Sequence, residues 1–221
     1  MKFLYLLPLI FALASANLAV DISIYDFPPV SLYPCLKSQN TTLAILEIFS
    51  EKGNINKNFL ATYISIRNVK ISNVDAIIRV NDAFTPEEVA NQVARALPTK
   101  FNGTVWLEVV NQQSRWSLNE TDRIPYLSNL TKACKEHGLK PGVYSSADDW
   151  NIVMGNQGKS SDILNAVPVW YLNSNGVESF DDFDYAGFGA WEKPQMKSFK
   201  NSAFICDMYV GSLNYYEDSS F

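Results

Sequence analysis

Short runs dominated by apolar, β-branched and aromatic residues recur along this chain, and stretches with a helical period separate several of them. The runs AVDISI (19–24), TLAILEIF (42–49), VDAIIRV (74–80), TVWLEVV (104–110), GVYSS (142–146), VPVWY (167–171), GFGAW (187–191) and AFICDMYV (203–210) predict strands. The clearest helical pattern is TPEEVANQVARAL. Thr85 caps it, Pro86 takes the first helical position, Glu88 completes a capping box, and Val89, Val93 and Leu97 share one face. A second helix is predicted from about Asn119 to His137, with Ile124, Leu127, Leu130 and Cys134 on one face and Gly138 at its C-cap.

Helices fall between strands through the first two thirds of the chain, so the strands there should be parallel. Strands that read as near-continuous apolar runs are buried on both faces, as in α/β folds whose helices cover the sheet. The expectation is therefore an α/β protein, an irregular (β/α) barrel of TIM-barrel-like form with some helices missing late in the chain. A doubly wound open sheet is the alternative, but no Gly-rich phosphate loop follows the first strand.

One residue breaks the TVWLEVV run, the carboxylate Glu108. Buried without a partner it would cost several kcal/mol or shift its pKa, so it is at an open strand end, paired, or functional. The period of two sets Trp106, Glu108 and Val110 on one face and Val105, Leu107 and Val109 on the other. In AVDISI it sets Ala19, Asp21 and Ser23 against Val20, Ile22 and Ile24. Active sites of such barrels lie at the C-terminal ends of the strands, so Asp21 and Glu108 are two carboxylates aimed at one barrel mouth. Paired acids flanking a pocket suit glycoside hydrolysis, one protonating the leaving oxygen and the other stabilising positive charge or positioning a nucleophile. The structural alternative is two partly solvated acids paired with Lys or Arg.

The N-terminus sets the expected compartment. Lys2 precedes the apolar run FLYLLPLIFALA, and Ala14-Ser15-Ala16 has the small-x-small form of a signal-peptidase site, so residues 1–16 read as a signal peptide and 17–221 as one domain. No later stretch approaches a membrane span. Sequons at Asn40, Asn102, Asn119 and Asn129 are candidate glycosylation sites and agree with a secretory or endolysosomal route. With 47% apolar residues the chain can bury a full core, and a formal charge of −5 excludes a nucleic-acid-binding surface. Three cysteines are too few and too spread for a zinc site, and no metal or cofactor is expected.

The order of motifs resembles a known family. VDIS, CLK, AIL, GTVWLEVV, RW, GVYSSADDW, PVWY, GFGAWEKPQMKSF and LNYY together are similar to the Chalaropsis-type lysozymes, glycoside hydrolase family 25, particularly their nematode and amoeba lysozyme-like branch. The resemblance implies an irregular β/α barrel secreted for digestion of, or defence against, bacteria, which cleaves the bond between N-acetylmuramic acid and N-acetylglucosamine in peptidoglycan. The family's first-strand Asp matches Asp21. On the central strand the family shows Trp-Leu-Asp-x-Glu, with the Glu as proton donor. Here Glu108 stands at the Asp position and Val110 at the Glu position. Near the C-terminus the family's acid before Asn-Tyr-Tyr is replaced by Gly211 or Ser212.

Tyr144, Trp170 and Tyr171 match positions where the family lines its sugar cleft, and aromatic faces suit stacking on saccharide rings. For Trp170 the barrel core is an equal alternative. Cys35 follows the first strand and Cys206 lies in the last, which are neighbours in a closed barrel, so a Cys35–Cys206 disulfide is expected, with Cys134 a buried thiol on a helix. His137 sits in a last helical turn, where its charge complements the helix dipole. Three functions follow: an active lysozyme with a rearranged acid pair, a silent lysozyme-like protein that binds bacterial cell-wall glycan, or a monomeric fold that serves a protein partner.

Overall fold

A computed structural model describes residues 17–155, 161–183 and 189–217 of the chain. The expected leader, 1–16, lies outside these residues. Eight strands close into a barrel in chain order: β1 (Asn17–Asp21), β2 (Thr41–Phe49), β3 (Asn73–Arg79), β4 (Thr104–Glu108), β5 (Lys140–Ser145), β6 (Val169–Leu172), β7 (Met196–Ile205) and β8 (Met208–Tyr216). The first seven are parallel, and β8 runs antiparallel to both β7 and β1, sealing the barrel with Asp21 opposite Ser212. Helices α1 (Leu32–Ser38), α2 (Phe59–Asn68), α3 (Pro86–Ala96), α4 (Glu120–Glu136), α5 (Ala147–Met154) and α6 (Asp162–Asn165) all precede β6. None follows it among the described residues, so the barrel lacks its late helices.

Strand alternation divides the core in two. Val20, Ala44, Leu46, Ala76, Ile78, Val105, Leu107 and Val143 face the helices, whereas Ala19, Ile45, Ile77, Trp106, Tyr144 and Trp170 fill the barrel interior. Trp106 fits because its neighbour on β5 is Gly142, where a Cβ would stand 2.6 Å from the indole ring. Helix α3 begins as its sequence predicts: Thr85 accepts from the Glu88 N–H at 3.4 Å and bonds the Glu88 carboxylate at 2.6 Å. Val89, Ala90 and Val93 then form its buried face. Burial of a valine contributes on the order of 1.5–3 kcal/mol, which outweighs the cap.

Three expectations need correction. AFICDMYV is not one strand but the tip of a hairpin: Cys206 and Asp207 take φ of 56° and 57°, the two left-handed positions of a tight turn matched to strand twist. GFGAW forms no strand in its described part, since Gly189 and Ala190 lie in a turn and Trp191 packs edge-on to Trp150 and donates its indole N–H to Val167 O at 2.8 Å. The strands AVDISI and TVWLEVV end early, at Asp21 and Glu108, which leaves both acids at strand termini. Helix α2, FLATYISIRN, has no counterpart among the elements expected from the sequence; its β-branched and aromatic residues have modest helix propensity.

Candidate functional site

Asp21, Glu47, Arg79 and Glu108 gather at the C-terminal mouth of the barrel. Arg79 continues the inward face of Asp75 and Ile77 on β3 and is the ladder neighbour of Glu108 on β4. Its Nη1 donates to both Glu108 oxygens, at 2.9 and 3.1 Å, its Nε donates to Glu47, and its Nη2 reaches Ser23 Oγ at 3.4 Å. A second guanidinium completes the ring. Arg115 rides on the 3-10 turn Gln113–Arg115 after β4, donates through Nη2 to Glu108 Oε2, and through Nε to Glu51 at 3.3 Å. Its side chain is 1% exposed and that of Glu108 8%.

The loop that delivers Arg115 is held from behind. Asp82 N donates to Arg115 O at 3.0 Å, and the Asp82 carboxylate accepts from Ser117 N, Ser117 Oγ and Leu118 N at 2.7–2.9 Å. Trp116 Nε1 donates to Val110 O at 2.8 Å. Val110, where the resembling family has its proton donor, is thus a half-buried residue past the strand end, in a tethered loop.

Asp21 is differently placed. Burial pushes its carboxyl up to about 6, against the lowering effects of Ser23 and Arg79, with Glu108 adding to the rise. Ser23 N donates to its Oδ1 at 2.8 Å. On β8 a side chain at Gly211 would meet Asp21 Oδ2, so it would require the Asp21 carboxyl group to shift. Ser212, opposite Asp21 in the ladder, is buried and hydrogen-bonds Asn214 at 3.1 Å. For Arg79, burial works against the charge, but Glu108 and Glu47 outweigh it and hold the guanidinium above its ordinary range. The chemistry open to this arrangement is asymmetric. Glu108 is a counter-ion whose lone pairs are taken by two guanidiniums, whereas Asp21 can carry a proton in weak acid.

The aromatic positions separate. Tyr144 stands next to Glu108 and Asp21, 8% exposed, with its hydroxyl raised by burial and by those two acids. Of the two readings open for Trp170, its position is that of the barrel core: it is fully buried, stacked on Tyr144 at 3.8 Å between ring centres, with its indole N–H donated to Asn214 at 3.0 Å. Tyr171 points to the helix side. Its hydroxyl donates to Asp182, which also accepts from the buried Lys197 at 2.7 Å, and it lines a cavity of about 190 Å³. A larger open cavity, about 850 Å³, lies over β2 and β3, with Asp26, Glu47, Glu51, Asn54, Asn56 and Arg79 in its wall.

Cys35 and Cys206 form a disulfide with Cα atoms 5.8 Å apart, and Cys134 is a buried free thiol. Asn40, Asn102, Asn119 and Asn129 are all exposed. His137 bonds Glu87 at 2.8 Å, joining α4 to α3. No metal-binding cluster occurs among the described residues, and no described helix is long and apolar enough to cross a membrane. The sequence alone assigns no chemical role to Arg79 or Arg115. The period of two could have found Arg79, two residues beyond Ile77, while Arg115 stands only within the RW motif.

An eight-stranded barrel with acids at its mouth and an antiparallel closing strand defines a lysozyme-like β/α barrel protein. The family model described as lysozyme-like protein 1 matches residues 12–199, and the chain belongs to this family of the glycoside hydrolase family 25 type. It is 26% identical over 208 residues to the protein named "Probable GH family 25 lysozyme 4" from Dictyostelium discoideum, covering 92% of this chain and 93% of that one. Lysozyme-like protein 1 of Caenorhabditis elegans is 28% identical over 214 residues, covering 89% and 67% respectively. Among solved structures, a family 25 lysozyme from Aspergillus fumigatus shares the fold with a TM-score of 0.71 at 11% identity, over 93% of this chain and 96% of that one.

Proposed function

We propose that this protein is a secreted, lysozyme-like binder of bacterial peptidoglycan that takes part in defence against bacteria and has lost efficient hydrolysis. Family membership supports the cell-wall ligand. The observation that carries the loss of catalysis is the Glu108 carboxylate, held between the Arg79 and Arg115 guanidiniums, while Val110 stands where a proton donor is needed. Loss of a general acid commonly removes ~10²- to 10⁴-fold in rate. Secretion follows from the leader-like residues 1–16, and the exposed sequons support the same route.

The test is paired. Purified protein is added to a bacterial cell-wall suspension between pH 4 and 8, and its retention on insoluble peptidoglycan is measured in parallel. Retention without clearing is expected; clearing by the wild type, abolished in Glu108→Gln, would overturn the proposal. Conversion of Val110→Glu with Glu108→Asp should raise lytic activity if the rest of the cleft is competent. A second reading, slow hydrolysis in acid, draws support from the raised pKa of Asp21. Weak clearing confined to pH below about 6 and lost in Asp21→Asn would favour it.

A further inference from the structure

The larger cavity at the mouth is chemically unlike a sugar cleft. Of the side chains that line it, none is aromatic and one, Ile55, is aliphatic; the rest are charged, amide or hydroxyl groups with a glycine. Saccharide rings are commonly held by aromatic faces with a few polar groups, and two rings, Tyr171 and Phe183, line the smaller cavity instead. The charges in the larger wall are balanced, Asp26, Glu47 and Glu51 against Lys52, Lys57 and Arg79. They are not equally available. Arg79 and Glu47 pair with each other, and Glu51 pairs with Arg115. Asp26, Lys52 and Lys57 are exposed and enter no ion pair or side-chain hydrogen bond among the described residues.

The free charges therefore consist of one anion on the segment between β1 and α1 and two cations on the segment between β2 and α2, around an open polar hollow. A neutral glycan can hydrogen-bond them but has no charge to pair with them. A ligand with separated carboxylates and an ammonium does: its carboxylates meet Lys52 and Lys57, and its ammonium meets Asp26. We propose that this cavity binds the charged peptide portion of the cell-wall polymer, a short zwitterionic peptide, and not its sugar rings. The inference rests on the peptidoglycan-binding reading and deepens it. It also relieves the difficulty posed by the buried Trp170, because recognition through peptide charges needs no stacking platform at the barrel centre.

The test uses the full mature chain and three ligands: the free tetrapeptide Ala–γ-Glu–Lys–Ala, an N-acetylglucosamine tetrasaccharide, and intact insoluble peptidoglycan. Titration calorimetry should show tetrapeptide binding that weakens with added salt. The exposed double variant Lys52→Gln/Lys57→Gln should weaken it roughly 3- to 10-fold, as expected for two solvent-facing ion pairs, and Asp26→Asn should weaken it by a smaller factor. Unchanged melting temperatures establish that the variants are folded. Tetrasaccharide binding equal in wild type and variants, with no tetrapeptide binding, would overturn the peptide assignment while leaving the peptidoglycan reading intact. Tetrapeptide binding unaffected by all three substitutions would overturn its placement in this cavity. Failure of all three ligands, intact peptidoglycan included, would remove the parent reading and the inference with it.

Discussion

Asp75 at the floor of the barrel and Glu108 at its mouth are both buried carboxylates, and they are satisfied by opposite means. At the N-terminal floor, Asp75 accepts from Thr104 N at 2.9 Å and Trp106 Nε1 at 2.8 Å, both neutral donors, and burial lifts its carboxyl to about 6. At the mouth, Glu108 accepts from two guanidiniums. A neutral-donor site tolerates either protonation state and serves to orient its donors, here the Trp106 ring at the barrel centre. A carboxylate that accepts from two guanidiniums fixes those cations instead. The floor acid thus orients an indole ring, whereas Glu108 at the mouth orients two guanidiniums.

The comparison breaks most sharply at Arg115. Its replacement by Ala leaves Glu108 buried with one guanidinium fewer, and a loss of ~3–5 kcal/mol is expected in urea unfolding, the range for orphaning a buried charge. Combining Arg115→Met with Glu108→Leu should recover much of that loss, because it removes the charge with its partner. If the double variant is no more stable than Arg115→Ala, the pair is not the source of the cost.

The pH dependence comes next. The folded carboxyls of Asp21 and Asp75 are raised to about 6 from an ordinary 3.8, so the folded state binds these protons more tightly than the unfolded chain. Their contribution is fully present below about 4, falls as pH rises through 6, and is gone above it. Each carboxyl accounts for an upper limit of ~3 kcal/mol. The lowered Asp182 and Glu217 act in the opposite direction, but only below their ordinary carboxylate range. Melting temperature should therefore rise on acidification from pH 7.5 to 4.5, and Asp75→Asn should flatten part of that slope; a flat wild-type profile would contradict the burial argument.

A smaller effect is expected at the floor from Trp106→Phe, which removes one neutral donor from Asp75. A loss of ~1–3 kcal/mol, the cost of an unsatisfied buried acceptor, should appear in urea unfolding, below that of Arg115→Ala. The smallest belongs to a site remote from both acids: Thr85→Ala should cost ~1 kcal/mol through the α3 cap and leave the pH profile of melting unchanged.

The barrel was legible because strand alternation and helix capping are local. TVWLEVV divides its residues between interior and helix side as the period of two requires, and Thr85 caps α3 where its motif stands. Depth within the barrel is not local. The period places Trp170 on the inward face, but whether that ring fills a core layer or lines the rim depends on strand stagger around the closed sheet. Arg115 was hidden for the same reason: its partners, Glu108 and Glu51, are fixed by a loop that Asp82, far upstream, holds in place. The hairpin at Cys206 and Asp207 lacked the usual Asn-Gly signature, so one apolar run concealed two strands.

Gly211 ties the closing strand to the acid beside it. Any side chain introduced there must first displace the Asp21 carboxylate from its present contact. An acid placed at 211 therefore acts first on the Asp21 carboxyl group, as a close neighbour of the same charge type. Position 212 carries no such bar, but its serine is engaged with Asn214, which in turn holds Trp170. Strand β8 thus couples the mouth to the barrel centre: a change at 211 reaches Asp21 directly, and one at 212 reaches Trp170 through Asn214.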